Sequence, residues 1–172
     1  MDRDGVINHR LKDDYVKNWS EFQFEPGVPE AIALFSNVFG RIFIVTNQQG
    51  IGKNIMTEDN LHDIHHKMVT EIEAAGGRID KVYYCPHLRT EDCNCRKPRI
   101  GMALQAKENF PEIDFSRSIM VGDTPSDIEF GKRAGMRTVF ISKEENPPPH
   151  TDWQFQLLND FARYLAVILH QD

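Results

Sequence analysis

Short apolar runs alternate with helix-spaced stretches along this chain, and that alternation restricts the fold more than any other feature. Residues 41–46 (RIFIVT), 81–84 (KVYY), 118–121 (SIMV) and 137–141 (RTVFI) read as buried strands. Leu61, Ile64, Met68, Val69 and Ile72 follow helical spacing, with Thr57 as the N-cap and Gly76-Gly77 as the stop. Residues 101–110 read as a second helix. Thr124 caps a third, with Pro125 at its first position and Gly135 at its end. Residues 159–169 suit a terminal helix packing through Phe161, Leu165 and Ile168, and the proline-rich residues 144–150 form a loop. Phe22, Phe24, Trp153 and Phe155 read as core aromatics. His62, His65 and His66 read as surface or helix-packing residues, and His9 and His150 have no evident partner. Strands that alternate with helices imply a parallel sheet covered on both faces, with ligands at the carboxyl ends of its strands.

At 172 residues the chain is expected to form one domain. Its net charge of −6, without a basic stripe, argues against nucleic acid and against an anionic membrane surface. No apolar run approaches the ~20 residues that span a bilayer. No signal peptide is visible, so a cytoplasmic location is expected.

Polar clusters stand at the predicted strand ends. Asp2 and Asp4 sit at i and i+2, so both carboxylates point the same way from an extended segment. Like charges that close call for a cation or a shared proton. Gly5 lets the backbone turn away. Thr46 and Asn47 end the first predicted strand, Arg96 and Lys97 precede a helix, and Asp123 follows Gly122 at another strand end with Asp127 four residues on. Each cluster alone is weak, since a Thr-Asn is usually a turn and an Arg-Lys usually surface. Together they outline a site for phosphate and a divalent metal.

All three cysteines lie in one short stretch: Cys85-Pro86-His87, five residues, then Cys93-Asn94-Cys95. Three thiolates and an imidazole make a complete tetrahedral set for Zn²⁺. With Cys85, His87, Cys93 and Cys95 filling every position, the zinc is expected to be structural. The bland alternative is a few buried thiols and a surface histidine.

The ordered set DxDG, TN, K and GDxxxD resembles the four motifs of the haloacid-dehalogenase superfamily phosphatases, over nearly the whole chain. The CxH…CxC loop running into Arg96-Lys97-Pro98 resembles the subgroup of heptose-bisphosphate 7-phosphatases and histidinol-phosphate phosphatases. Residues 25–28, 46–51 and 97–102 look closer to the heptose enzymes. The resemblance implies a Rossmann-like fold with a minimal cap, in which the zinc loop replaces a large cap domain. It implies that Asp2 is the nucleophile and that Asp4 is the general acid and then the base. Thr46, Asn47 and Lys97 would hold the phosphoryl group, and Arg96 would contact substrate. Asp2, the Asp4 carbonyl and Asp123 would hold Mg²⁺, with Asp127 supporting. The implied substrate is a small sugar phosphate, the 7-phosphate of a heptose bisphosphate made for ADP-heptose and lipopolysaccharide core, and the chain is expected to act as a monomer. Histidinol phosphate is the alternative substrate. A non-catalytic phosphate-binding protein is the alternative of another class. Members of the family carry an apolar strand directly before the nucleophile. Here only Met1 precedes Asp2, so the coding sequence upstream is expected to continue in frame with apolar codons.

Overall fold

The computed structural model describes residues 1–144 and 146–169. Its elements are α1 (Val28–Val38), β1 (Phe43–Asn47), α2 (Glu58–Ala74), β2 (Lys81–Cys85), α3 (Gly101–Asn109), β3 (Ile119–Gly122), α4 (Pro125–Arg133), β4 (Arg137–Ile141), β5 (Trp153–Phe155) and α5 (Leu158–Leu169), with 3-10 turns at Trp19–Glu21 and Phe115–Arg117. β1 pairs with β2 and β3 with β4, both parallel, and β5 adds in parallel to β4. Every expected strand and helix is present, within two residues at each end. Two elements were not anticipated, α1 and β5. Outside those elements, residues 144 and 146–150 are irregular as expected, and Glu145 of that loop lies outside the described residues.

Alternating side chains send β1, β2 and β3 to two cores. Ile44, Val121 and Val139 pack with Ile32 and Phe35 of α1, Ile64 and Met68 of α2 and Phe161 of α5. Val45, Tyr83 and Met120 face the other way, against Met102 and Ala106 of α3 and Phe130 of α4. The strands form two sheets, β1-β2 and β3-β4-β5, and helices pack on both faces of the strand layer. Phe22, Phe24, Trp153 and Phe155 all belong to the first core or pack on it.

Met1 and Asp2 bridge the two halves. The Met1 ammonium donates to Phe43 O at 2.8 Å, Val45 N–H donates to Met1 O at 2.9 Å, and Asp2 N–H donates to Val121 O at 2.8 Å. Asp2 is thereby fixed between β1 and β3. Beside this bridge lies a cavity of about 500 Å³ lined by Met1, Phe43, Val45, Ile119 and Val121 among others. Burial, with Lys97 nearby, pushes the Met1 ammonium down to about 5.

α2 starts on a capping box. Asn60 N–H donates to Thr57 Oγ1 at 3.1 Å and Thr57 N–H donates to Asn60 Oδ1 at 3.0 Å. α4 starts on another, in which Asp127 Oδ2 accepts from Thr124 N–H at 3.0 Å and from Thr124 Oγ1 at 2.7 Å. Among the described residues, no helix is long and apolar enough to cross a membrane.

Candidate active site

The carboxyl ends of β1 and β3 meet the Asp2–Asp4 turn. Gly5 has φ +90, and a Cβ there would lie 2.0 Å from Asp123 Oδ2. Only a glycine lets this turn close on the end of β3. One oxygen from each of Asp2, Asp123 and Asp127 falls within 4.8 Å of the others.

Lys97 enters from below. Its ammonium donates to Asp2 Oδ1 at 2.7 Å and to Val45 O at 2.8 Å, and pairs with Asp127 Oδ1 at 2.7 Å. Burial works against the Lys97 charge, but Asp127 and Asp2 outweigh it and hold the lysine above its ordinary value. Asp2 goes up instead, through burial and then the Asp127 charge, despite Lys97. With Oδ2 in the helix cap and Oδ1 on Lys97, Asp127 supports the cluster from behind it.

Asp4 has the opposite environment. Arg3 Nη2 donates to Asp4 Oδ1 at 2.8 Å, Asn8 Nδ2 to the same oxygen at 3.0 Å, and Gln48 Nε2 to Oδ2 at 2.8 Å. Burial opposes ionisation there, yet Arg3 and these donors win and hold the Asp4 carboxyl below its ordinary range. The two aspartates of one motif are thus shifted in opposite directions, Asp2 up and Asp4 down, the reverse of what an ionised nucleophile and a protonated donor need before a cation and a phosphate join them.

Arg10 carries no signal in the sequence, yet it reaches the centre. Its Nη2 donates to Asp4 O at 2.9 Å and to Asp123 Oδ1 at 2.9 Å, and lies 3.7 Å from Asp2 Oδ2. Positive charge therefore stands among the same oxygens that suit a hard divalent cation. Even with Arg10 there, burial raises Asp123 to about 7. The donor set, two carboxylates and a carbonyl around a demand for positive charge, fits Mg²⁺.

Asn47 lines the cavity above these groups, and its side chain clasps the Lys97 backbone, accepting from Lys97 N–H at 3.0 Å and donating to Lys97 O at 3.3 Å. Thr46 is buried beneath, where its hydroxyl accepts from Gln48 Nε2 at 2.9 Å. The cavity measures about 800 Å³, and Arg10, Lys12, Lys53, Arg89 and Arg96 all line it. Arg99 does not belong to this rim. It donates to Cys93 O at 2.7 Å and pairs with Asp92, so it ties the cysteine loop together.

That loop brings Cys85, His87, Cys93 and Cys95 to one point, with all four ligand atoms within 4.8 Å. Cys85 Sγ lies 3.6 Å from His87 Nδ1, 3.6 Å from Cys93 Sγ and 3.0 Å from Cys95 Sγ. Zn–S bonds of about 2.3 Å place tetrahedral sulfurs about 3.8 Å apart, so this set fits zinc after small shifts. Burial and the other thiols push the Cys85 thiol up, which a cation at the centre would reverse. β1 and the loop after it anchor the assembly: Gln48 N–H donates to Cys85 O at 2.7 Å and Gly52 N–H to Pro86 O at 3.0 Å.

One histidine expectation needs correction, and His65 takes the helix-packing place, one of the two readings open to it. His9 is not without a partner, since its Nδ1 lies 2.7 Å from Glu25 Oε1. His65 is buried and touches Arg3, because the face of α2 that carries Leu61 and Met68 turns inward at that point. His62 instead meets the Tyr84 hydroxyl at 3.1 Å, and His66 is exposed.

Residues 94–160 match the family described as HAD-hydrolase-like. The chain is 37% identical to the D-glycero-alpha-D-manno-heptose-1,7-bisphosphate 7-phosphatase of Campylobacter jejuni, over 95% of this chain and 92% of that protein. It is 34% identical to the D-glycero-beta-D-manno-heptose-1,7-bisphosphate 7-phosphatase of Neisseria meningitidis, over 96% of this chain and 92% of that one. Among solved structures it is similar to the D,D-heptose 1,7-bisphosphate phosphatase of B. bronchiseptica, complexed with magnesium and phosphate. The TM-score is 0.86 at 27% identity, covering 96% of each chain.

Proposed function

This chain belongs to the haloacid-dehalogenase-like family of D-glycero-D-manno-heptose-1,7-bisphosphate 7-phosphatases, and we propose that it removes the 7-phosphate of such a bisphosphate through an aspartyl-phosphate on Asp2. The observation that carries this reading is the convergence of Asp2, Asp123 and Asp127, with Lys97 on Asp2, beneath a cavity lined by Arg10, Lys12, Lys53, Arg89 and Arg96. One phosphate is needed at Asp2. A second, remote phosphate is what Lys12, Lys53, Arg89 and Arg96 would recognise from the rim.

Asp2 attacks phosphorus, the bond from phosphorus to the sugar oxygen breaks, and Asp4 gives that oxygen a proton. Asp4 then takes a proton from water as the water attacks the aspartyl-phosphate, releasing inorganic phosphate and freeing Asp2. Asp4 starts with a lowered proton affinity, and the negative charge of the arriving phosphate raises it toward the value a donor needs. Lys97 holds Asp2 in place and offsets its charge. Asp2, the Asp4 carbonyl and Asp123 would hold Mg²⁺, which when bound supplies positive charge against the phosphoryl oxygens. The cysteine loop would hold a structural Zn²⁺, keeping Arg96 and Lys97 at the mouth. A cytoplasmic location belongs to the same reading.

Histidinol phosphate would need a free carboxylate near the mouth for its ammonium. The two carboxylates of the cysteine loop are engaged, Asp92 by Arg99 and Glu91 by the Leu88 N–H, but the exposed Asp13 lines the cavity, so charge alone does not choose between the two substrates. The test is kcat/KM for heptose 1,7-bisphosphate and for histidinol phosphate with magnesium. The bisphosphate should lead by at least about tenfold, or ~1.4 kcal/mol in transition-state binding. A preference for histidinol phosphate would overturn the substrate and leave the mechanism standing.

A further inference from the structure

Among the described residues, Arg3 is the largest fully buried side chain, with 0% exposure. A buried guanidinium away from the phosphate path needs a reason, because desolvating that charge is costly. Its partners supply one. Nη2 donates to Asp4 Oδ1 at 2.8 Å, and Nη1 meets His65 Nε2 at 3.2 Å. Arg3 Nε has no hydrogen-bond partner among the described residues. Two side-chain contacts therefore fix the guanidinium, one to the acid–base carboxylate and one to helix α2, 62 residues away in sequence.

A guanidinium can only donate, so His65 Nε2 must accept, and the ring proton sits on Nδ1. Burial, with Arg3 beside it, drives His65 down to about 3, in keeping with a neutral acceptor. The chain of contacts runs from a rigid helix through a planar fork to the oxygen of Asp4. Asn8 and Gln48 complete the set on the same carboxylate. Such a brace fixes the angle at which Asp4 presents its proton, and small errors in that angle are costly for catalysis.

We propose that His65 and Arg3 are positioning residues for proton delivery by Asp4, with His65 acting only through Arg3. This rests on the assignment of Asp4 as the acid. Proton delivery matters for a sugar alkoxide, which leaves poorly, and hardly for p-nitrophenolate, which leaves well without a proton. The experiment is a single turnover with enzyme in excess, following release of the leaving group from heptose 1,7-bisphosphate and from p-nitrophenyl phosphate. His65→Leu should slow sugar release about tenfold and nitrophenolate release less than about twofold. His65→Gln, which restores an acceptor near Nε2, should recover most of the loss. His65→Met replaces the leucine variant should that one fail to fold. Equal slowing of both substrates, or no slowing of sugar release, overturns the brace. Asp4→Asn separates the two ideas. If it discriminates between the leaving groups and His65→Leu does not, the brace alone falls. If Asp4→Asn slows both equally, the acid assignment falls and the brace with it.

Discussion

The Lys97 ammonium lies 2.7 Å from Asp2 Oδ1, with both groups buried. Asp127 touches the same ammonium, so one lysine compensates two buried carboxylates. Removing it leaves them facing each other in a region of low dielectric. Lys97→Met should cost about 3–5 kcal/mol of stability and at least about a hundredfold in kcat. Urea unfolding and steady-state kinetics check both. A variant with wild-type stability would show that the triad is not the electrostatic unit described.

Gly5 tests the turn that joins the nucleophile to Asp123. Its φ of +90 and the 2.0 Å clash of an added Cβ with Asp123 Oδ2 leave no room for a side chain. Gly5→Ala should weaken magnesium binding, read by calorimetry, more than tenfold, because the Asp4 carbonyl and Asp123 must move apart. Unchanged affinity would contradict the proposed magnesium ligands.

The cysteine loop should carry one zinc per chain, seen by elemental analysis of protein purified without chelators. Stripping the metal should lower the melting temperature and loosen the segment that presents Arg96 and Lys97. Cys93→Ser should reproduce that loss. Absence of zinc, or iron in its place, would contradict the assignment.

His65 gives a pH dependence of definite sign. It faces Arg3, His62 and Asp4, and its folded value of about 3 lies below the ordinary 6.5. A depressed histidine contributes stability that is complete above ~6.5 and is lost as pH falls toward 3, because the unfolded chain binds the proton first. At pH 4.5 the loss reaches roughly 2–3 kcal/mol. His65→Gln should flatten the stability profile between pH 6.5 and 4.5 relative to wild type. Parallel profiles would show that folding does not depress the proton affinity of His65.

Much of this was legible in the sequence because the chemistry sits at strand ends. Apolar runs located β1 to β4, with Thr46-Asn47, the first cysteine and Asp123 at the ends of β1, β2 and β3. Sequence reasoning made no assignment for α1, whose start carries Gly27 and Pro29, residue types that commonly interrupt helices. Yet Gly27 takes the left-handed conformation at the cap and Pro29 falls in the first turn, where no backbone donor is lost. The periodic Val28, Ala31, Ile32 and Phe35 carried the signal that was available. β5 spans three residues, too short for a period, and is a strand only because β4 offers it an edge. Arg3 was readable in principle, since alternation sends it opposite to the two aspartates that flank it. Arg10 and His65 were not, because the Arg10–Asp123 and Arg3–His65 contacts join positions 113 and 62 residues apart. No local spacing encodes such pairs.

The central claim is that Asp2 carries the phosphoryl group during turnover. Rapid acid quench of the protein with heptose 1,7-bisphosphate and magnesium, followed by peptide mass spectrometry, tests it directly. The account predicts a transient, base-labile phosphoryl group on Asp2 that forms and decays within the turnover time and is missing in Asp2→Asn, which should have no activity. Full phosphatase activity in Asp2→Asn, or a phosphoryl group trapped on another residue, would contradict it.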